Sequence, residues 1–92
     1  MKVTVSAEAT HDLGMIFAWI AKDSPRAATS MVRKLRSRIG LLVTDGLSNI
    51  ARPGKEKGTR ELLERPYIIV YEVKLRQKAV EIIAVFHAAQ DR

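Results

Sequence analysis

The chain contains no cysteine. Disulfides and thiolate metal ligation are excluded, and a reducing compartment is the expected setting. No apolar run approaches the ~18 residues needed to cross a bilayer. Glu8 and Asp12 interrupt the N-terminal stretch, which does not read as a secretory signal. There is no Gly-rich phosphate loop. No His/Asp/Glu cluster has ligand spacing, so neither a metal nor a cofactor is expected. Ser6, Ser24, Ser30, Ser37 and Ser48 stand in no nucleophile motif. The aromatics are few: Phe17, Trp19, Tyr67, Tyr71 and Phe86. Most of them fall at core-like positions, so a base-stacking platform is not indicated.

What is present is a basic chain of 92 residues, with sixteen Lys and Arg against ten Asp and Glu and a net charge of +6. One domain over residues 1–92 is expected, burying roughly 60–65% of its unfolded surface. The charge favours an anionic partner, such as nucleic acid or an acidic protein segment.

Met1 to Val5 alternates as a short strand. Ser6 is placed to cap a following helix, and Glu8 suits its first turn. Ala9, Leu13, Ile16, Phe17 and Ile20 recur at helical spacing, with Met15 and Trp19 as a second stripe. A helix with two stripes is covered on more than one side, by another helix or by a partner. Ser24-Pro25 is a cap followed by a favoured first helical residue. Ala28, Met31, Val32, Leu35, Ile39 and Leu42 form the apolar face of a second helix. No acid occurs between Ser24 and Thr44, so this helix is cationic. Asp45-Gly46 ends it, with Gly46 as the expected cap. Residues 47–57 read as a loop with one helical turn.

Three antiparallel strands are expected over 60–65, 67–74 and 79–87. Pro66 breaks the first from the second. Tyr67-Ile68-Ile69-Val70-Tyr71 suits a strand inside a sheet, and the charged segment 74–78 is short enough for a hairpin loop. The expected class is α+β: an N-terminal strand, an antiparallel helical hairpin, then a three-stranded antiparallel meander (β-α-α-β-β-β).

Chemistry is sparse. His11 reads as a surface residue. His87, where the last strand ends, is a candidate general base as well as a structural residue. Arg52, Lys55, Lys57, Arg60 and Arg65 gather on the loop and the first strand of the meander, and Arg92 can join them from the tail. Such a cluster can hold a phosphate backbone, although Glu56, Glu61 and Glu64 are interleaved and local ion pairs would leave it a solvated face.

An ordered set of residues resembles the RelE/ParE superfamily, the toxins of bacterial type II toxin–antitoxin modules. The set is Asp12-Leu13, Ile16, Ile20-Ala21, Asp23-Ser24-Pro25, Ala27-Ala28, Gly58-Thr59-Arg60-Glu61-Leu62, Tyr67-Ile68-Ile69-Val70-Tyr71 and Ile82 to Gln90-Asp91. The resemblance spans about Val5 to Arg92. It implies a small cytoplasmic toxin held inactive by a cognate antitoxin. The RelE-like branch cleaves mRNA on the ribosome; the ParE-like branch poisons DNA gyrase.

Leu63 and Ala88 stand where the RelE-type pattern has Arg, and the ending FHAAQD is similar to ParE. The resemblance therefore implies a ParE-like gyrase inhibitor. Its target-binding residues would be Arg60, Arg65, Gln90 and Arg92, and its antitoxin-binding residues Met15 and Trp19. Lys55 and Lys57 match a RelE-type lysine pair, and His87 resembles the histidine of His-using nucleases. The alternative is thus an mRNA endoribonuclease with His87, Arg65 and Lys57 as its machinery. A degenerate module that binds only its antitoxin is the third reading.

Overall fold

The computed structural model describes residues 1–44 and 51–90. Strand β1 (Lys2–Val5) leads into α1 (Ala7–Ala21) and α2 (Pro25–Leu41). Strands β2 (Arg52–Pro53), β3 (Thr59–Glu64), β4 (Tyr67–Lys74) and β5 (Ala79–His87) complete a five-stranded sheet in the order β1-β5-β4-β3-β2. The meander β3-β4-β5 is antiparallel, as its sequence pattern indicates. The whole sheet is mixed, because β1 pairs parallel with β5. The helical hairpin lies between them in sequence and carries the chain across the sheet, which is the kind of crossover that parallel neighbours require.

The helix signals act as read. Ser6 Oγ accepts the Ala9 N–H at 3.0 Å, and Ser24 Oγ accepts that of Ala27 at 3.1 Å. Pro25 occupies the first turn of α2. That helix ends at Leu41 with Leu42 as its cap, ahead of Asp45-Gly46, which lie outside the described residues. The expected loop is also partly redrawn: residues 47–50 lie outside the description, and Arg52–Pro53 is a two-residue edge strand on β3. Gly58 takes φ +87°, a left-handed conformation that places the chain at the start of β3 and that glycine adopts without steric cost.

The core lies between the hairpin and one face of the sheet. Leu13 and Ile16 of α1, Leu35 and Ile39 of α2, and Leu62, Ile69, Tyr71, Val80, Ile82 and Val85 of the strands pack together with Leu42. Each such side chain contributes about 1.5–3 kcal/mol by leaving water. Packing α1 over β5 and α2 over β3 leaves β4, paired on both sides, in the middle. Phe17 departs from the expected core stripe: it is 39% exposed. At about 100° per residue, it sits beyond the edge of the arc that Ala9, Leu13 and Ile16 bury.

Candidate interaction site

Helix α1 turns its apolar residues in three directions. Ala9, Leu13 and Ile16 face the core. Met15 and Trp19, four residues apart, stack on one flank and are 58% and 69% exposed. Phe17 is about 200° around the helix from each, and therefore lies on the other flank.

On the Phe17 flank, α1 and α2 form a shallow groove of about 440 Å³, with Phe17 and Val32 as its apolar floor and Arg33 and Arg36 beside them. Arg26, Arg33, Lys34 and Arg36 are exposed on α2. Among the described residues none of the four has an ion pair. Arg38, the fifth cation of this helix, turns instead to the sheet. It donates to the Leu63 carbonyl at 3.3 Å and lies 3.6 Å from the Glu64 carboxylate.

On the other flank lies a groove of about 620 Å³ between α1 and the end of β5. His11, Met15 and Trp19 come from α1, Tyr67 from β4, His87 from β5, and Gln90 from the turn that follows. The Lys22 ammonium sits 5.0 Å from the centre of the Trp19 ring, a cation–π pair. The Tyr67 and His87 rings meet edge to face, with centroids 5.5 Å apart. Burial pushes the Tyr67 hydroxyl above its ordinary pKa.

Three bonds fix the turn 87–90. The Gln90 N–H donates to the His87 carbonyl at 2.9 Å, the His87 N–H to Gln90 Oε1 at 3.2 Å, and the Ala89 N–H to His87 Nδ1 at 3.0 Å. A neutral imidazole has one lone pair and one N–H. With Nδ1 accepting from Ala89, the proton is on Nε2, and the ring offers the groove a donor.

The residues singled out from the sequence are thus dispersed. Met15, Trp19, His87 and Gln90 share one groove. Arg65 is exposed in the β3–β4 turn, beside Pro66, whose carbonyl accepts the Ala88 N–H at 2.8 Å. Lys57 is exposed at the opposite end of β3, six strand residues away from Arg65. At ~3.3 Å per residue the strand holds the two roughly 20 Å apart.

Arg60 points into the fold. It bonds the Ala51 carbonyl and the hydroxyl of Tyr71, which is 0% exposed. Burial raises the Tyr71 pKa, and the Arg60 hydrogen bond and charge oppose that rise. Arg92 lies outside the described residues.

The sheet face turned away from the helices carries Glu61, Glu72 and Glu81. Glu61 pairs with Arg52 at 3.0 Å, and Glu81 with Lys74 at 3.3 Å. This confirms the local ion pairing foreseen for part of the basic cluster.

Two residues gain roles that the sequence reading did not give them. His11, read only as a surface residue, is exposed but lines the α1–β5 groove. Asp12 is buried at 8% exposure, and its Oδ2 accepts the Val85 N–H at 2.9 Å. The available signal was a carboxylate next to Leu13 at the edge of the buried arc, since buried charges need partners. Among the described residues, no group of three or more His, Asp or Glu can hold a metal ion, and no helix is long and apolar enough to cross a membrane.

A strand, a helical hairpin and an antiparallel meander, with exposed grooves on both flanks of the first helix, define a small α+β protein built to meet partners. Residues 3–92 match the family described as ParE toxin of type II toxin-antitoxin system, parDE. The chain belongs to this family. The protein named "Putative toxin Y4kP" of Sinorhizobium fredii (strain NBRC 101917 / NGR234) is 36% identical over 91 residues, covering 97% of this chain and 90% of the relative.

Two solved structures share the fold. One is a chromosomal ParDE toxin–antitoxin system from P. aeruginosa, with a TM-score of 0.82 at 24% identity, covering 95% of each chain. The other is the toxin–antitoxin complex RelBE2 from Mycobacterium tuberculosis, with a TM-score of 0.62 at 19% identity, covering 94% of this chain and 95% of that one.

Proposed function

We propose that this toxin acts by binding: it inhibits DNA gyrase in the bacterial cytoplasm, and a cognate antitoxin neutralises it. The observation that carries the reading is the separation of Lys57 from Arg65 and His87 by the length of β3. Cleavage of RNA needs a base, an acid and phosphate-binding cations within hydrogen-bond reach of one another. Glu61, Glu72 and Glu81 on the open sheet face also oppose a phosphate backbone there.

Binding asks for exposed anchors instead. Met15 and Trp19 are the proposed antitoxin anchors, together with the helical hairpin, whose cationic outer face suits an acidic partner helix. Strand β1, at the edge of the sheet among the described residues, offers backbone groups for strand addition. Arg65, Gln90 and Arg92 are the proposed target contacts. Arg60 serves that surface indirectly, by holding β2 and β3 in place.

The nuclease reading has one observation in its favour: His11 and His87 line the same groove. Two assays decide. The purified protein should inhibit supercoiling by gyrase and accumulate cleaved complexes, and should leave mRNA on programmed ribosomes intact. Ribosome-dependent cleavage that disappears in His87→Ala, with gyrase unaffected, would transfer the function to the nuclease. Silence in both assays with antitoxin binding intact would leave a module that only binds its antitoxin.

A further inference from the structure

Charge is spread unevenly over this fold. The open face of the sheet carries Glu61, Glu72 and Glu81. Helix α2 carries five cations and no carboxylate between Pro25 and Leu41. Arg38 is taken up by the sheet. Arg26, Arg33, Lys34 and Arg36 are exposed, and among the described residues none of their side chains has a hydrogen-bonded or ionic partner. At about 100° per residue, Arg26 and Arg33 each stand ~160° around the helix from the buried residue two positions on, Ala28 and Leu35. Ser30 and Ser37, four residues after each arginine, lie within about 40° of them. The result is an outward ridge of Arg26, Ser30, Arg33 and Ser37, all exposed, with Lys34 on one side and Arg36 on the other.

The acids nearest in the chain leave this ridge uncovered. Asp12 is buried against Val85. Glu8 lines a separate pocket with Lys55, Glu56 and Ile83. Asp23 is exposed at the entry to α2, ten residues before Arg33. A protein partner calls for an apolar anchor at the centre of its footprint. The ridge has none, since Phe17 and Val32 lie off it, in the groove between the helices. Arg, Lys and Ser side chains on a rigid helix are instead the set that contacts phosphate and sugar. With no aromatic ring in α2, the bases of a single strand cannot be stacked. With no Asn or Gln, an adenine edge goes unread.

We propose that the outer ridge of α2 binds the phosphate backbone of double-stranded DNA, without regard to sequence, through Arg26, Arg33, Lys34 and Arg36. Laid along a duplex, the rise of about 10 Å from Arg26 to Arg33 spans roughly three base-pair steps. Duplex DNA presents one charge per ~1.7 Å of axis, about twice the density of an extended acidic peptide, whose residues advance ~3.3 Å each. The inference goes beyond the gyrase reading, because it concerns DNA and not the enzyme; only the choice of DNA over an RNA duplex rests on that reading. An acidic antitoxin helix seated on the hairpin would draw on the same cations, so DNA is a ligand of the free toxin.

Fluorescence anisotropy of the full chain with labelled 20-base-pair duplexes tests this, without gyrase present. Two duplexes of unrelated sequence should bind saturably at low salt and with the same affinity. The logarithm of the binding constant should fall against the logarithm of salt concentration with a slope of about −3 to −4. Arg26→Gln/Arg33→Gln should make that slope shallower by about 2, and Arg36→Gln alone by about 1, with thermal unfolding unchanged. Lys2→Gln/Arg76→Gln removes as much charge from exposed positions elsewhere and should leave the slope in place. A polyglutamate peptide of the duplex's total charge should bind about tenfold more weakly, and an RNA duplex no more tightly than the DNA.

An unchanged slope in folded Arg26→Gln/Arg33→Gln would overturn the proposal, as would an equal loss in the Lys2 and Arg76 control. So would equal binding of polyglutamate, a preference for the RNA duplex, or no saturable binding of DNA. Any of these results with supercoiling by gyrase still inhibited removes the DNA surface and leaves the proposed function standing.

Discussion

The Asp12 carboxylate accepts the Val85 N–H at 2.9 Å, which ties α1 to β5. The bond replaces a missing strand. β1 pairs with β5 only as far as Val5 opposite Ile82. Beyond that point the Ser6 N–H still donates to the Ile82 carbonyl at 2.9 Å, and Ser6 Oγ donates to the Ile83 carbonyl at 3.0 Å. Ile83 is the bulge residue, with no opposite number on β4. Asp12 then takes the Val85 N–H, two residues further along the same edge. The strand edge is thus satisfied in turn by a backbone, a hydroxyl and a carboxylate.

Asp12→Ala should therefore destabilise the fold without touching an exposed surface. It leaves the Val85 N–H unbonded in a buried position, at a cost of about 1–3 kcal/mol. For a domain of this size each kcal/mol lowers Tm by roughly 4–8 °C. Asp12→Asn, which keeps an acceptor oxygen, should lose less. Thermal unfolding followed by circular dichroism reads both, and an unchanged Tm in Asp12→Ala would mean that this bond contributes nothing.

Met15→Glu and Trp19→Glu should fold normally. Both side chains are more than half exposed, and surface substitutions usually cost less than about 0.5 kcal/mol. Their effect should fall on antitoxin binding: a tryptophan anchor commonly accounts for ~2 kcal/mol or more, about 30-fold in Kd. Calorimetry of the purified pair is the measurement. Wild-type affinity in both folded variants would remove Met15 and Trp19 from the interface.

Arg60 and Arg65 should behave differently when truncated. Arg60→Ala strips a partner from the buried Tyr71 hydroxyl and from the Ala51 carbonyl, so a loss of about 1–3 kcal/mol in stability is expected. Arg65→Ala should leave the denaturation midpoint in place and reduce gyrase inhibition. Urea titration alongside supercoiling assays separates the two; equal destabilisation by both variants would contradict the assignment.

Stability should also fall in alkali through the buried tyrosines. Burial raises the pKa of Tyr67 and Tyr71 above 10.0 in the folded state. A raised folded pKa means stability that is fully present below the unfolded value and lost as pH rises through the folded one. The denaturation midpoint should therefore hold from neutral pH up to about 9 and decline above about 10. Tyr67→Phe and Tyr71→Phe should each flatten that decline; an unchanged slope in both would rule out the tyrosines as its source.

The regular elements were legible because short-range chemistry specifies them. Ser6, Ser24 and Pro25 start the helices as read, and the β-branched and aromatic run from Tyr67 occupies the central strand. The parallel pairing of β1 with β5 was not legible, because nothing local to Lys2–Val5 names a partner so distant in the chain. Phe17 was misplaced for a related reason. Periodicity assigns a residue to an arc, but the width of the buried arc depends on what packs against it. The grooves were half visible: Met15 and Trp19 stood out as a second stripe, whereas His11, His87 and Gln90 become their neighbours only when β5 passes beneath α1. Arg60 looked like a surface cation in a basic run, and only the register of Arg60 opposite Tyr71 turns it inward.

The strand order also sets a timetable for synthesis. β5 is the last strand of the described chain, yet it lies between β1 and β4, so the first strand made has no neighbour until the last one arrives. Pairings so remote in sequence form slowly, after local ones. The helical hairpin, by contrast, is complete as soon as Leu41 has emerged. On a translating ribosome α1 and its Met15–Trp19 stripe are therefore made long before β5 supplies the other wall of their groove, so that groove is completed only with the last strand.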